Sequence, residues 1–518
     1  MRCDGETAGA RMVNDGDGDG LLRSVIPDAG GAGYYVVSFE GEKLSGSAGV
    51  LYVVDEYNHV LGEATLGSKT LLKLPAAQEH ALLVKVFPHS GVLVTRAAVA
   101  SAAGDDPVHD FCDSVLKGNV AVVVPTYPAQ ENTYPCAFVH ARVRAYREAH
   151  VACDVLCTFD YEGYCAYEFE GVRVLRMPMD ELARLLCWRS YRAVLLHFFD
   201  LRYARELDRA GLDDTPIFLW SHNPETRYWD WTLFTAPYFG DPPKLSPEQE
   251  AEFRERDAVI ARYNDKPNVS WVFVSEALKR RSEELLGLEF KRAHVIPNLV
   301  DDKVFRFQAK DPDLRKKVFL TRKFDNVSTY ALDVVANVIV ELSRRPFFSD
   351  MEFDLYGAGD LYDKLVEPLR GFENVRLHRR FLSRSEIASE HRSHGIALYP
   401  TRFDSQGVSM GEAAMSGLAV VSSDIDAARC FLPDDQGLLC EVEDAAAYAD
   451  VIERLYRDPQ AFAAASEACH DKVLRLCSRK QTVNREISLI KRCVGRSVAR
   501  VLGNMVADRR YRSGLSER

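Results

Sequence analysis

Apolar and polar positions alternate in distinct styles along this chain, and each style predicts a different kind of element. From Tyr34 to Ala103 the apolar runs are short and β-rich, YYVVSF, GVLYVVDE, TLLKLP, HALLVKVF and GVLVTRAAV, with Gly, Pro and Asn between them. That spacing predicts a small antiparallel β-sandwich-like domain over residues 34–112. At Asn119 the style shifts to a continuous apolar strand, NVAVVVPTYP, followed by AFVHARVRAYREAH at helical spacing. DVLCTF, RAVLLHFF and TPIFLWSH continue it, with helical MDELARLLCW and RYARELDRA interspersed. Uninterrupted apolar strands that alternate with amphipathic helices predict a parallel sheet covered on both faces, so residues 117–295 should form one α/β domain.

Pro, Asn and paired Asp break the pattern at IPNLVDDKVF, and the same style then resumes with KKVFLTRKF, MEFDLYGAG, VRLHRRF, GIALYPTRF and LAVVSS. A second doubly wound domain is expected over 296–478. Two such sheets in tandem predict a cleft, with ligands at the C-terminal ends of the strands. Outside them lie two tails. Residues 1–33 contain DGDGDG and read as a flexible tail; their resemblance to a calcium loop fails at Ile26, where a bidentate Glu is required. Residues 479–518 hold eleven Lys or Arg against Glu486, Asp508 and Glu517, and Ile487, Ile490, Val494, Val498, Val501, Leu502 and Met505 recur at helical spacing. Such a basic amphipathic helix either lies on an anionic membrane or packs back on the N-terminal domain.

Composition narrows the function classes. With 47% apolar and 27% charged residues the chain is of ordinary globular type, and its formal charge of -11 opposes general nucleic-acid binding. The twelve cysteines form no CxxC pair, and Cys153, Cys157 and Cys165 lack a metal-spaced His, so buried thiols in a reducing cytoplasm are expected instead of zinc. No run of 18 apolar residues occurs, and residues 1–33 lack the apolar core expected of a signal peptide.

The chemistry concentrates in PTRFDSQGVSMGEAAMSGLAVVSS, Pro400 to Ser423. Strand GIALYP ends there, which places Asp404 in a loop beyond a strand's C-terminal end. Ser409 makes a good helix cap and Gly417 a good stop. Ser409-x-x-Glu412 fits a capping box, which would account for the Glu without any ligand. Asp404 has no place in such a box. The amides of Val408, Ser409 and Met410, just after Gly407, would form a positive helix terminus between the two carboxylates, suited to a diphosphate with hydroxyls on either side. A nucleotide sugar has that distribution.

This stretch resembles the signature of glycosyltransferase family 4, the retaining GT-B glycosyltransferases of group 1. Asp404 stands where that family's first Glu is usual and Glu412 matches the second. VSEALKRRSEELLG with HVIPNLVD resembles its interdomain crossing, with Leu299 in place of Gly. FLTRKF resembles the strand delivering a phosphate-binding Arg, here Arg322, and YGAGD resembles its glycine turn, Gly357 and Gly359. Matches in order run from about 119 to 475. Two departures stand out: Val327 occupies the place of the usual Lys, leaving Lys323 nearest, and the first loop of the N-terminal domain reads PTYPAQENTYP without a Gly-Gly pair.

The resemblance implies a GT-B fold of two tandem Rossmann-like domains, here preceded by the β domain. It also implies transfer of a hexose from a nucleotide sugar to a cell-surface glycan, lipopolysaccharide or capsule included, as part of polysaccharide biosynthesis. No metal and no cofactor beyond that co-substrate are implied. His222, ending IFLWSH, corresponds to a His that contacts the donor sugar, whereas His197, ending VLLHFF, reads as structural. The implied catalytic set is His222, Arg322, Asp404 and Glu412, with Lys323, Gly357, Gly359, Gly407, Val408, Ser409 and Met410 binding the donor. Asn132, Glu225, Tyr228, Trp229 and Trp231 are acceptor-side candidates, since aromatic faces stack on sugars. The protein is expected in the cytoplasm, with peripheral contact at the inner membrane face as one outcome for the basic tail, and without a nucleic-acid partner. Two other readings remain open: a GT-B sugar-nucleotide 2-epimerase, and a degenerate glycan-binding subunit without turnover.

Overall fold

The computed structural model describes residues 2–5, 10–25, 32–47, 49–76, 80–102, 104–130, 132–133, 135–158, 161–222, 225, 246–325 and 327–492. They form two compact units: one runs up to His197 and includes Arg202–Ile217, and the other comprises Phe198–Leu201 and Phe218–Arg492.

In the first unit, the parallel strands Val120–Val124, Cys153–Cys157, Val172–Arg176 and Ala193–His197 form the expected buried sheet. Every residue of Val120–Val124 and Ala193–His197 is buried, which is why both read as unbroken apolar runs. The β-rich segment forms strands as expected and packs two sheets around Val37, Phe39, Leu51, Val53 and Val92. It is not closed off as a separate sandwich, however. Ser68–Leu74 pairs antiparallel with Tyr164–Phe169, so one of its sheets continues into the α/β sheet.

The flexible tail expected over 1–33 is corrected. Ala10–Asn14 pairs with Ser90–Ser101, and Gly20–Val25 pairs with Ala81–Val86, both antiparallel. Segments this short owe their order to distant strands and not to their own composition. Asp17 and Asp19 of DGDGDG form the exposed connection between them.

The second unit carries a six-stranded parallel sheet in the order Val375–His378, Glu352–Tyr356, Lys317–Thr321, Ile396–Tyr399, Ala419–Ser423, Leu439–Cys440. Numbered along the chain, that order is 3-2-1-4-5-6. The helices Leu332–Leu342, Ala445–Arg457 and Pro459–Cys477 contribute to its core. The strand order reverses between Lys317–Thr321 and Ile396–Tyr399, the kind of switch point at which sheets of this type bind ligands. The unit also includes Val269–Phe273 and Ala293–Val295, so its boundary lies well before the break expected at residue 296.

Candidate functional site

Arg322 directly follows the first strand and Thr401 to Gly407 follow the fourth, so both flank the switch point of the sheet. Arg322 is 5% exposed. Its guanidinium lies between the rings of Tyr330 and Tyr399, at 4.8 and 4.6 Å, and donates one hydrogen bond to Ser409 Oγ at 3.4 Å. Nε and Nη2 are buried with no acceptor, and no carboxylate among the described residues pairs with the side chain. A buried cation lacking a counter-ion is costly, and cation–π contact with two rings offsets only part of that cost.

The glycine turn explains how Arg322 is held. Its amide donates to Tyr356 O, and Phe324 N donates to Ala358 O. A Cβ on Gly357 would stand 1.9 Å from Arg322 O, and one on Gly359 2.5 Å from the carbonyl of Phe324. Both glycines have positive φ, 154° and 155°. The two strand ends therefore approach more closely than any side chain would allow.

Asp404 organises the next loop. Its Oδ1 accepts from the amides of Ser405, Gln406 and Gly407 at 2.8, 3.2 and 2.8 Å. The helix Val408–Met415 then starts from Gly407, whose φ of 72° is left-handed, and no side chain caps it. This corrects the expected Ser409 cap: Ser409 lies inside the first turn, facing Arg322, and the capping box with Glu412 does not form. Three amides remain, those of Val408, Ser409 and Met410, and no described residue accepts from them. At the other end Gly417 stops the helix as expected, with Leu418 N donating to Ala413 O and Gly417 N to Ala414 O.

Freed from capping, the Glu412 carboxylate accepts no hydrogen bond from any described residue. Burial pushes its pKa up to about 7, with Asp301 adding repulsion and Arg384 opposing both. A half-buried carboxylate in that state gains from a hydroxyl donor. Arg402, by contrast, is fully engaged with Asp333, Glu443 and Val327 O and anchors the loop. Gln406 pins it further: its Oε1 accepts from Asn298 N and its Nε2 donates to Asn298 O, while Ser275 Oγ donates to Ser405 O.

Residues 315–458 match the family model described as glycosyl transferases group 1. That segment holds Arg322, the glycine turn, Asp404 and Glu412. D-inositol 3-phosphate glycosyltransferase of Arthrobacter sp. (strain FB24) is 32% identical over 106 residues, 20% of this chain and a quarter of that protein's length. Among solved structures, sucrose-phosphate synthase from Thermosynechococcus elongatus aligns with 73% of this chain and 99% of its own, at 14% identity and a TM-score of 0.53. An E. coli trehalose-6-phosphate structure bound with UDP-2-fluoro glucose aligns with 72% of this chain and 98% of its own, at 12% identity and a TM-score of 0.52. At such identities the likeness shows the fold, α/β of the GT-B type. The family match lies within the second unit and covers the sheet that carries the switch point.

The other anticipated residues are placed less centrally. Lys323 is 58% exposed and paired with Asp325 at 2.6 Å, so it does not join Arg322. Val327 is fully buried in the core. His222 is buried after the strand Ile217–Ser221, its ring 4.7 Å from that of Phe198, and Glu225 accepts from its amide at 2.9 Å. Glu225 thus braces the loop, a use its acceptor-side reading did not include. His197 is fully buried at the end of the strand Ala193–His197. Asn132 is exposed in the first unit and exchanges main-chain hydrogen bonds with Ala129. Tyr228, Trp229 and Trp231 lie outside the described residues, as does the tail beyond Arg492. Among the described residues no helix is long and apolar enough to cross a membrane.

Sequence reasoning missed Tyr330, Gln406 and Ser275. Tyr399, a polar-tipped ring closing the apolar run GIALY, was the one visible signal of the aromatic clamp.

Proposed function

We propose that the protein is a retaining, metal-independent glycosyltransferase that moves a hexose from a nucleoside diphosphate sugar to a glycan acceptor. The observation that carries this reading is the buried Arg322 guanidinium, clamped by two tyrosines and lacking an anion, beside the open amides of Val408, Ser409 and Met410. A diphosphate satisfies all of these donors at once. Glu412 then accepts from a hydroxyl at one side, and Asp404 offers its second oxygen at the other. As the bond from the sugar's anomeric carbon to the diphosphate oxygen breaks, Arg322 and the helix terminus stabilise the growing negative charge. The acceptor oxygen bonds to that carbon on the same face, and its proton passes to the departing diphosphate. His222 orients the sugar for this attack.

The acceptor is proposed to be a polysaccharide or its lipid-linked precursor, met at the cytoplasmic side of the membrane. A panel of nucleotide sugars with and without candidate acceptors tests the whole reading. A new glycoside formed only with acceptor supports it. A new nucleotide sugar formed without acceptor would indicate epimerisation, and binding of no nucleoside diphosphate would leave only a glycan-binding role.

A further inference from the structure

A cavity of about 420 Å³ opens between the strand Ala293–Val295 and the helical residues 483–492, entirely within the second unit. His294, Lys480, Arg485 and Arg492 line it, with Ile296 and Leu489 as its buried apolar floor. Among the described residues no carboxylate contributes to its walls.

The helix explains the gathering of charge. Val483, Ile487 and Ile490 turn into the core, and Glu486, its one acid, is fully buried as well. Its exposed positions are Asn484, Arg485, Ser488, Lys491 and Arg492. Lys480, Arg485 and Arg492 are exposed, and none is ion-paired with another described residue. In a chain of net charge -11, three convergent unneutralised cations repel one another where an acid could easily have been placed. The half-buried His294 feels this directly: burial, then Arg492 and Arg485, hold its pKa below the usual value.

We propose that this groove binds a phosphate-class anion, with Lys480, Arg485 and Arg492 as its cationic contacts and Ile296 and Leu489 beneath it. Guanidinium pairs suit the tetrahedral oxygens of phosphate, and the apolar floor admits a carbon chain beside it. The anion comes either from free phosphate compounds or from a phospholipid headgroup. None of these residues belongs to the switch-point site, so the inference stands independently of the proposed transfer reaction.

The test uses the full chain and two probes at low ionic strength. These are inorganic pyrophosphate by titration calorimetry, and sedimentation with phosphatidylglycerol against phosphatidylcholine vesicles. Arg485→Gln/Arg492→Gln is compared with Arg306→Gln/Arg475→Gln, which removes the same charge at exposed positions outside the groove; coincident unfolding midpoints establish that both pairs fold. The expected result is binding of at least one probe, pyrophosphate through a component that persists in Arg322→Ala, with that binding weakened tenfold or more by the first pair and less than twofold by the second. Pyrophosphate binding without vesicle preference assigns the groove to free phosphates; phosphatidylglycerol retention without it assigns the groove to lipid. Binding of neither probe, or equal weakening by both pairs, overturns the proposal. So does pyrophosphate binding lost only in Arg322→Ala, since that places the anion at the switch point.

Discussion

Substituting Glu412 by Gln separates its electrostatic cost from its proposed use. The carboxyl has an ordinary pKa near 4.5 and about 7 in the folded chain, because burial disfavours the ionised form. A raised acid pKa means that the folded state holds a proton that the unfolded state has released between these values. Stability therefore falls as pH rises from about 4.5 to about 7, and the full cost persists above that. At 1.36 kcal/mol per pKa unit the difference amounts to roughly 3 kcal/mol, an upper figure since solvent reaches part of the side chain. Glu412→Gln keeps the shape and removes the charge. Denaturant unfolding between pH 5 and 8.5 should show the wild-type free energy declining relative to the variant by up to that amount, with the midpoint of the divergence at about pH 6. A nucleotide sugar that donates a hydroxyl to the ionised carboxylate should bind more tightly as pH rises through the same window, and this trend should vanish in Glu412→Gln. Parallel wild-type and variant stability profiles would refute the burial argument. A divergence in stability without any in binding would retain the buried carboxyl and remove its ligand role.

Three further outcomes follow from the same geometry. Arg322→Met should leave the unfolding midpoint unchanged or raised, because an unpaired buried cation is replaced by an apolar side chain, while nucleoside diphosphate binding measured by calorimetry falls roughly 10- to 100-fold. Gly357→Ala should cost about 2 kcal/mol or more in denaturant unfolding through contact with Arg322 O, whereas Gly371→Ala, where nothing lies within 4 Å, should cost far less. His222→Ala should cut turnover by on the order of a hundredfold with little change in free nucleoside diphosphate binding, and fully buried His197→Ala should lose stability more than rate; an exchange of these two behaviours would reverse their roles.

The sheets were legible because burial on both faces writes itself as unbroken apolar runs, as in Val120–Val124 and Lys317–Thr321. What composition hid was order supplied from a distance. Ala10–Asn14 and Gly20–Val25 are too short to announce themselves and depend on partners more than 50 residues away. At the site, the residue types were readable but the helix start was not. Propensity favours Ser409 as a cap, yet Asp404 had already satisfied the preceding amides and Gly407 supplied the left-handed turn, which moved the start forward. That shift released Glu412, and no pattern of residue types reveals it. The solitude of Arg322 was equally hidden, since Lys323 stands next in sequence but turns to Asp325.

The pairing between Gln406 and residue 298 has a consequence for how this protein tolerates change. One side of it is a side-chain amide and the other is main chain, a donor and an acceptor that every residue except proline presents. Heritable constraint from this contact therefore falls on one codon only. Gln406→Glu keeps the acceptor and loses the donor, so even this nearly isosteric change breaks half the join, whereas substitutions at 298 leave the join itself intact. In a saturation library selected for folding, position 406 should hold its residue against drift that position 298 is free, as far as this contact goes, to follow.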